Sequence, residues 1–394
     1  MKCKSCDGEN LFEAFKLKDM PPPGHFLKDL NQTEYSYPVK MLICSQCGLG
    51  QLSYDVARED LFDYYTFKTS VSKSFVKHSV EYVNENINKI KSSDWVLEIA
   101  SNDGYMLKEF INRGVDVLGI EPAKNITLYA SVDGVPTYNG YFDKDLAKQI
   151  FDLKGFPRLI IANNVFAHVP NIKDFAEGLA VLCGPKTEIS IENPTIMNIL
   201  LEQHFDTIYH EHYSYLSVNA VSQLFDICGL SLFDVEQIST QNGSNRYWVK
   251  KDGVLSERGL FIKEEEVKAG LFDKNAWQNS YNIVINKLKK FKNSIDEINS
   301  SGGRVCGYTA SSKANTVLLS AGVDEGSILC IADDASEKQN KFTPKIHIPV
   351  VSFEKMLDLN PTHIVIFAHN IYNEINNKIK LSSSNAWVVN WYDL

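Results

Sequence analysis

Two blocks of alternating strand-like and helical segments constrain the fold more than any other feature. Between residue 75 and about residue 250, helical segments separate the apolar, strand-length runs WVLEIA, VDVLGIEP, RLIIANNVF and TEISIENP. From Gly302 the alternation restarts with GGRVCGYT, SILCIADD, THIVIFAH and NAWVVNWY. This order of segments is typical of parallel sheets covered by helices. The sequence therefore predicts an α/β fold with two separate α/β domains.

The regions outside these blocks predict the domain boundaries. Residues 257–300 are charge-rich with apolar residues at helical spacing, which indicates one or two connecting helices. Residues 1 to about 55 hold four of the eight cysteines. We expect an N-terminal zinc-binding module over 1–74, a central Rossmann-like domain over 75–256, and a helical linker with a second Rossmann-like domain over 257–394.

Composition and charge exclude several classes of partner. The net charge is -9 and no basic block occurs, which argues against a nucleic-acid backbone as a ligand. The N-terminal residues MKCKSCDGEN lack the apolar region of a secretory signal, and the longest apolar runs are too short to span a membrane. We expect a cytoplasmic protein, monomeric or a small homo-oligomer, with no nucleic-acid or membrane partner.

Two C-x2-C pairs near the N-terminus predict a metal site. Cys3 and Cys6 form the first pair, and Cys44 and Cys47 form the second. Each short turn lets two thiolates face one ion, and four thiolates close a tetrahedral structural zinc site. The alternative is a set of unpaired buried cysteines.

The stretch EIASNDG, residues 98–104, predicts a ligand-binding turn after the first strand of the central domain. Small residues let the backbone approach a ligand, and an acid after the second strand, Glu121, can accept two ribose hydroxyls. A dinucleotide site favours G-x-G-x-x-G, whereas Asp103 would repel a phosphate here. The positive sulfonium of S-adenosylmethionine fits better, and the alternative is an ordinary turn without a ligand. The predicted cofactor-binding residues are Glu98, Ala100, Ser101, Asn102, Asp103, Gly104, Glu121, Pro122, Asn163 and Asn164.

The stretch YHEHYSY, residues 209–215, concentrates two of the nine histidines around a carboxylate. It follows the strand TEISIENP and leads into a helix that Ser217 caps and Gly229 ends. His210, Glu211 and His212 therefore lie beside the ligand-binding edge of the sheet. The spacing suits a metal site, a proton-transfer site or an ordinary loop equally well.

Taken together, these motifs match those of a known family. The chain resembles the sugar C-methyltransferases that install a branching methyl on C3 of nucleotide-linked 4-keto deoxysugars, as in tetronitrose and mycarose biosynthesis. The likeness covers nearly the whole chain. It rests on EIASNDG, NNVFAHV, YHEHYSY, YTASSKAN, DDASEKQNKFTPKIHIPV and AHNIYNEI taken together.

The resemblance implies a role for each motif. His212 would remove the C3 proton, Glu211 would orient it or balance its charge, and Tyr209 would line the same pocket. His168 and Tyr65, with Tyr64 as the fallback for the tyrosine, would hydrogen-bond the C4 oxygen. The cofactors would be S-adenosylmethionine and a structural Zn2+, and the partner a nucleotide-linked keto sugar. The implied substrate-binding residues are Lys313, Asn315, Tyr308, Arg246, Asp333 and Asn370.

The chain departs from the family pattern at several positions. Phe67 replaces a tyrosine and Ala100 replaces the donor-turn glycine, while QNGSNR, Thr309 and His369 differ where the nucleotide sugar would lie. Three rival functions remain at this stage. They are an O-methyltransferase, an epimerase that stops at enolisation, and a non-catalytic zinc-ribbon protein that binds S-adenosylmethionine.

Overall fold

The structure is a computed structural model that describes residues 1–382 and 384–394. The strands in chain order are β1 (Leu11–Lys16), β2 (Lys40–Cys44), β3 (Gly50–Leu52), β4 (Trp95–Ile99), β5 (Asp116–Glu121), β6 (Thr137–Asn139), β7 (Leu159–Asn163), β8 (Glu188–Pro194), β9 (Ser214–Tyr215), β10 (Ser231–Ile238), β11 (Ser244–Lys250), β12 (Val305–Tyr308), β13 (Ile331–Ala332), β14 (Lys341–Phe342), β15 (Pro349–Val351), β16 (His363–Ile366) and β17 (Trp387–Asn390). The α-helices are α1 (Arg58–Phe62), α2 (Lys73–Asn86), α3 (Tyr105–Ile111), α4 (Lys124–Val132), α5 (Lys144–Lys154), α6 (Ile172–Leu182), α7 (Met197–Leu201), α8 (Val218–Ile227), α9 (Glu257–Lys268), α10 (Lys274–Ser300), α11 (Ser312–Ala321), α12 (Phe353–Asp358) and α13 (Tyr372–Leu381).

The central domain is a seven-stranded sheet in the order β10-β11-β8-β7-β4-β5-β6. Its strands β4 to β8 pair in parallel, as the alternation predicts. The chain runs outward from β4 to β6 and then returns to β7 on the other side of β4. This reversal leaves a crevice at the carboxyl ends of β4 and β7, where open α/β sheets bind ligands.

The far edge of the central sheet differs from the parallel arrangement that the sequence predicts. Strand β11 runs antiparallel to β8 and forms a hairpin with β10. A short connection joins β10 to β11 through a turn at Thr240–Asn242, and a hairpin of this kind can only pair antiparallel.

The C-terminal domain repeats the doubly wound plan on a smaller scale. Its sheet has the order β14-β15-β13-β12-β16-β17, and only β14 pairs antiparallel. Two helices, α9 and α10, connect it to the central domain, as the charge-rich stretch predicts. The predicted fold class, α/β with a zinc-binding module and two Rossmann-like parts, is confirmed.

The N-terminal module packs between the two α/β domains. Its sheet has the order β1-β2-β3-β9, so its last strand comes from the YHEHYSY stretch of the central region. The buried Phe15 of β1 contacts Trp277 of α10 edge to face, with ring centroids 6.4 Å apart. One apolar core therefore runs from the module through α10 into the C-terminal domain. Among the described residues, no helix is both long and apolar enough to cross a membrane.

Candidate active site

The four cysteines of the N-terminal module converge as their spacing predicts. Their sulfur atoms all lie within 4.8 Å of one another, and the Cys3–Cys47 and Cys6–Cys44 pairs are 3.5 and 3.7 Å apart. Tetrahedral Zn–S bonds of 2.3 Å place the sulfurs about 3.8 Å apart, so the four thiolates fit a zinc ion with no open position. This is the structural Zn2+ site.

The zinc module also holds the YHEHYSY loop in place. Strand β3 follows the second cysteine pair directly and pairs with β9 through Gly50–Tyr215 and Gln51–Ser214. The Leu52 amide donates to the carbonyl of Tyr213 (3.1 Å), and the Tyr213 hydroxyl donates to the carbonyl of Val56 (2.7 Å). The metal site is therefore structurally coupled to the loop that carries His212.

One cleft at the carboxyl ends of β4, β5 and β7 is lined by most of the predicted site residues. It faces the C-terminal domain on one side and residues 58–69 on another. The predicted residues that line it are Tyr65, Glu98, Ala100, Asn102, Glu121, Pro122, Asn163, Asn164, His168, Tyr209, Glu211, His212 and Lys313.

The donor turn of this cleft is built from left-handed residues. Ala100, Asn102 and Gly104 have φ values of 57°, 51° and 77°, so the chain turns sharply between β4 and α3. The predicted residues Ser101, Asp103 and Gly104 do not line the cleft. Ser101 is fully buried behind the turn, and Asp103 accepts hydrogen bonds from the amide and hydroxyl of Ser70. One carboxylate oxygen of Asp103 therefore anchors a neighbouring segment.

Glu121 is placed to accept hydroxyl groups. One carboxylate oxygen accepts from the Asn102 amide and the other from the Ala123 amide, each at 2.9 Å. Each oxygen keeps a second lone pair for a ligand hydroxyl. Burial raises the pKa of this carboxyl to about 7, although the two amides oppose the shift.

Buried polar atoms without hydrogen-bond partners indicate that the cleft suits a polar ligand. Among the described residues, neither the oxygen nor the nitrogen of the Asn163 amide has a hydrogen-bond partner, and the same holds for one carboxylate oxygen of Glu98. Such groups are costly unless something binds them. Burial, reinforced by the nearby Asp103 and Glu121, raises the pKa of Glu98 well above its usual value. A bound cation would favour the ionised form of these carboxyls, which suits the positively charged S-adenosylmethionine.

His212 is held with one ring nitrogen free for chemistry. Its Nδ1 lies 2.6 Å from the carbonyl oxygen of Thr207, which can only accept, so this nitrogen carries the proton. The Nε2 atom is then a lone-pair acceptor and lies 3.4 Å from the Tyr209 hydroxyl. Burial holds the pKa of His212 well below 6.5, so the ring is neutral near pH 7.

The orienting group differs from the one that the resemblance implies. Glu211 makes no hydrogen bond to His212 among the described residues, and the backbone of Thr207 orients the ring instead. Glu211 lines the cleft separately, and burial raises its pKa to about 7. Its charge therefore changes near neutral pH.

Two further groups surround His212. The His168 ring lies 4.8 Å from it between centroids, and burial lowers the pKa of His168 to about 4. Tyr65 lines the cleft and burial raises its pKa, so its hydroxyl stays protonated and can donate. Tyr64, the fallback tyrosine, is 69% exposed and does not line the cleft.

His210 lies apart from this group. Its ring is fully buried against Tyr37, with centroids 5.9 Å apart, and it does not line the cleft. In the part of the chain that the structure describes, only the four cysteines form a group of three or more potential metal ligands. The geometry thus gives the His210–Glu211–His212 stretch no metal site.

Arg246, a predicted substrate-binding residue, does not line the cleft in this structure. Its guanidinium forms ion pairs with Glu192 (2.6 Å), Glu236 (3.0 Å) and Glu85 (3.2 Å), away from the cleft. Arg246 pairs in register with Glu192 of β8 and Glu236 of β10 because β11 is antiparallel. The side chain therefore joins three strands and a helix.

The C-terminal residues that the resemblance implies divide into two groups. Lys313, at the start of α11, lines the cleft, and Asn315 lines a small adjoining pocket beside Tyr209. Tyr308 and Asp333 do not reach the cleft. Tyr308 donates to Asp334, while Asp333 accepts from two backbone amides and from Lys338, so both side chains fix loops. The Asn370 side chain lies outside the described residues.

Sequence reasoning did not identify several residues that line the cleft. Thr207 contributes through a backbone carbonyl, which no residue type can reveal. Tyr141 follows β6, and its position after a third strand of the donor half could have indicated it. Other lining residues not predicted include Arg58, Phe62, Thr69, Tyr105, Asn193 and Gln241.

Family models match almost the whole chain. A zinc binding domain matches residues 3–62, a methyltransferase domain matches 75–235, and the C-methyltransferase C-terminal domain matches 239–390. Between residues 3 and 390, only 63–74 and 236–238 are left unmatched.

The chain is also similar to individual proteins. The C-methyltransferase NovU of Streptomyces niveus is 26% identical over 397 residues, covering 98% of this chain and 94% of its own. Magnesium protoporphyrin IX methyltransferase of Synechocystis PCC 6803 shares 13% identity over 45% of this chain and 79% of its own, with a TM-score of 0.34. A methyltransferase of Anabaena variabilis shares 13% identity over 44% of this chain and 83% of its own, with a TM-score of 0.36.

The order and extent of the three domain matches decide between the rival functions. They favour an enzyme over a non-catalytic protein, and carbon over oxygen as the methyl acceptor. The zinc match agrees with the four converging cysteines. The chain therefore belongs to the C-methyltransferase family and is an S-adenosylmethionine-dependent C-methyltransferase with a structural zinc site.

Proposed function

We propose that this enzyme methylates C3 of a nucleotide-linked 4-keto deoxysugar through an enolate. The observation that carries the proposal is the neutral His212 ring, whose unprotonated Nε2 lies in the same cleft as the donor turn. A carbon acceptor must first lose a proton, and a ketone at C4 acidifies the hydrogen at C3. A neutral imidazole with an unprotonated Nε2 can take that proton.

The residues around His212 support the enolate. As C3 loses its proton, negative charge moves to the C4 oxygen, and nearby hydrogen-bond donors stabilise it. The protonated hydroxyl of Tyr65 and an N–H of the neutral His168 ring are such donors. Both groups are half-buried, and a low local dielectric would strengthen such hydrogen bonds.

The proposed step balances without a further reactant. His212 Nε2 takes the C3 proton and becomes positive, and the C3–H electron pair forms the enolate. Bound S-adenosylmethionine supplies an electrophilic methyl on a sulfonium. The new C–C bond forms as the S–CH3 bond breaks, which leaves S-adenosylhomocysteine, and His212 returns its proton to water.

The C-terminal domain supplies the reason to expect a nucleotide on the sugar. Lys313 enters the cleft from the first turn of α11, opposite the donor turn. It also lines a second small pocket with His204, His369 and Tyr392. A lysine beside aromatic rings suits a diphosphate linked to a base.

The experiment that tests the function measures methyl transfer and C3 deuterium exchange together, with a panel of nucleotide-linked 4-keto deoxysugars. His212→Gln should lower both rates by about 10²–10⁴-fold, because a positioned general base contributes that much. S-adenosylhomocysteine binding should change little. His210→Gln is the matched control and should lower the rates far less.

Two results would contradict the proposal. Loss of methyl transfer in His212→Gln with unchanged C3 exchange would assign the base to another residue. Equal losses in the His210 and His212 variants would point to a shared structural effect and not to proton transfer.

A further inference from the structure

Residues 58–71 form one wall of the cleft, and we call them the Tyr65 segment. Phe62, Tyr65, Phe67 and Thr69 of this segment line the cleft. The Phe62 ring contacts the His168 ring edge to face, with centroids 5.6 Å apart. The position of this segment therefore decides where the Tyr65 hydroxyl lies relative to His168 and His212.

The Tyr65 segment is attached to the donor half of the central domain by side chains of the donor turn. The Asn102 side chain accepts from the Thr69 amide (2.9 Å) and donates to the Phe67 carbonyl (3.2 Å). The amide and hydroxyl of Ser70 donate to Asp103. These contacts hold the C-terminal half of the segment.

Asn125 holds the part of the segment that carries Tyr65 itself. The Tyr65 amide donates to Asn125 Oδ1 (3.1 Å), and Asn125 Nδ2 donates to the Tyr65 carbonyl (2.6 Å). This reciprocal pair satisfies both backbone groups of one residue, so it fixes the position and the orientation of that residue. Asn125 lies in the first turn of α4 and does not line the cleft.

The loops that carry Asn102 and Asn125 also lie beside Glu121, the residue predicted to bind the methyl donor. Asn125 follows Glu121 by four residues, and Glu121 accepts from the backbone amides of Asn102 and Ala123. A ligand bound to Glu121 would therefore act on the backbone of Asn102 and, through Ala123, on the start of α4, where Asn125 lies. Rigid anchors reduce local opening of a segment that they hold.

We infer that Asn125 is a positioning residue that places Tyr65 for the reaction and links its position to occupancy of the donor site. The role of Tyr65 in this inference rests on the proposed function. The attachment of Tyr65 through Asn125 does not, so the two can be tested separately.

The first test uses amide hydrogen exchange with S-adenosylhomocysteine as the probe. In the wild-type protein, the probe should slow exchange in peptides that contain residues 63–70. Asn125→Ala should speed exchange of the Tyr65 amide about tenfold or more and abolish the effect of the probe there. Protection of residues 98–104 by the probe should remain, and Ser131→Ala, on the same helix but remote from the segment, should behave as wild type.

The second test is kinetic. Asn125→Ala should lower kcat for methyl transfer by about 10- to 100-fold, because small displacements of a catalytic group have effects of this size. The affinity for S-adenosylhomocysteine should change less than about threefold. In a Tyr65→Phe background, Asn125→Ala should cause little additional loss, since two residues that act through one contact are not additive.

Asn125→Asp covers the case in which the alanine variant does not fold. It keeps the size and the acceptor for the Tyr65 amide but loses the donor to the Tyr65 carbonyl. The inference requires that the folded variant, Asn125→Ala or Asn125→Asp, exchanges the Tyr65 amide hydrogen faster than the wild type. Unchanged exchange at Tyr65, or equal rate losses with and without the Tyr65 hydroxyl, overturns it, whatever substrate the enzyme proves to use.

Discussion

At the scale of a single residue, Glu121 is the predicted link between donor binding and pH. Burial raises its pKa to about 7, so it loses a proton between pH 6 and 8. The ionised form accepts ribose hydroxyls better than the protonated form. We therefore predict that S-adenosylmethionine binds about tenfold more weakly at pH 6 than at pH 8, because a carboxyl with a pKa of 7 is about nine-tenths protonated at pH 6.

Calorimetric titration across this pH range measures the effect. Glu121→Gln should bind more weakly and show no slope, since the amide does not titrate. Glu98 and Glu211 also have raised pKa values, so a slope that survives in Glu121→Gln would assign the dependence to one of them.

Ala100 carries backbone strain at the donor turn. Its φ of 57° costs an L-residue about 1–2 kcal/mol, whereas glycine adopts it freely. Ala100→Gly should therefore raise the thermal midpoint, with a net gain of up to about 1 kcal/mol after the added entropy of the unfolded chain. Ala276→Gly, inside α10, is the control and should destabilise by about 1 kcal/mol. Effects of the same sign at both positions would contradict the strain.

At the scale of elements, the pairing of β3 with β9 joins the zinc module to the active-site loop. The Cys44–Cys47 turn leads directly into β3, and the Ser217 hydroxyl donates to the carbonyl of Gly48 (3.1 Å). Loss of zinc should therefore loosen residues 213–217 as well as the module. We predict that Cys44→Ser lowers both the thermal midpoint and methyl transfer, with faster amide exchange in β9.

Cys228→Ser provides the matched control, because Cys228 is a free thiol outside the metal site. It should retain zinc, stability and activity. A Cys44 variant with an altered module but unchanged exchange in β9 would show that the two are not coupled.

The elements that sequence reasoning predicted are those whose signals are local. The cysteine knuckles, the turn after β4 and the Ser217 cap each occupy a few consecutive residues and are present in the structure, although Ser101, Asp103 and Gly104 of the turn do not line the cleft. Sequence reasoning could not place Arg246, because its ion-pair partners Glu85, Glu192 and Glu236 lie on three separate elements. Thr207 and Asn125 act on or through backbone groups, so their residue types carry no signal.

At the scale of the whole molecule, the cleft depends on the C-terminal domain. One continuous core includes Phe15 of β1, Trp277 of α10 and Trp391 near the C-terminus. This shared packing fixes α11, and with it Lys313, against a cleft whose other walls belong to the central domain. The two domains thus contribute different parts of one site, with the donor turn on one side and Lys313 on the other.

This division predicts that the two ligands respond separately to substitution of Lys313. Lys313→Met keeps much of the side-chain length but removes the charge, and a hydrogen bond to a charged group contributes about 1.5–3 kcal/mol. The KM of the nucleotide-linked sugar should therefore rise about 10- to 100-fold, while the affinity for S-adenosylmethionine stays within about threefold. The sugar KM of the wild type should also rise with salt, and that of the variant should rise less.

Lys290→Met, on the exposed surface of α10, is the control and should change neither the sugar KM nor the affinity for S-adenosylmethionine. A loss of donor affinity in Lys313→Met, or an unchanged sugar KM, would show that the nucleotide lies elsewhere.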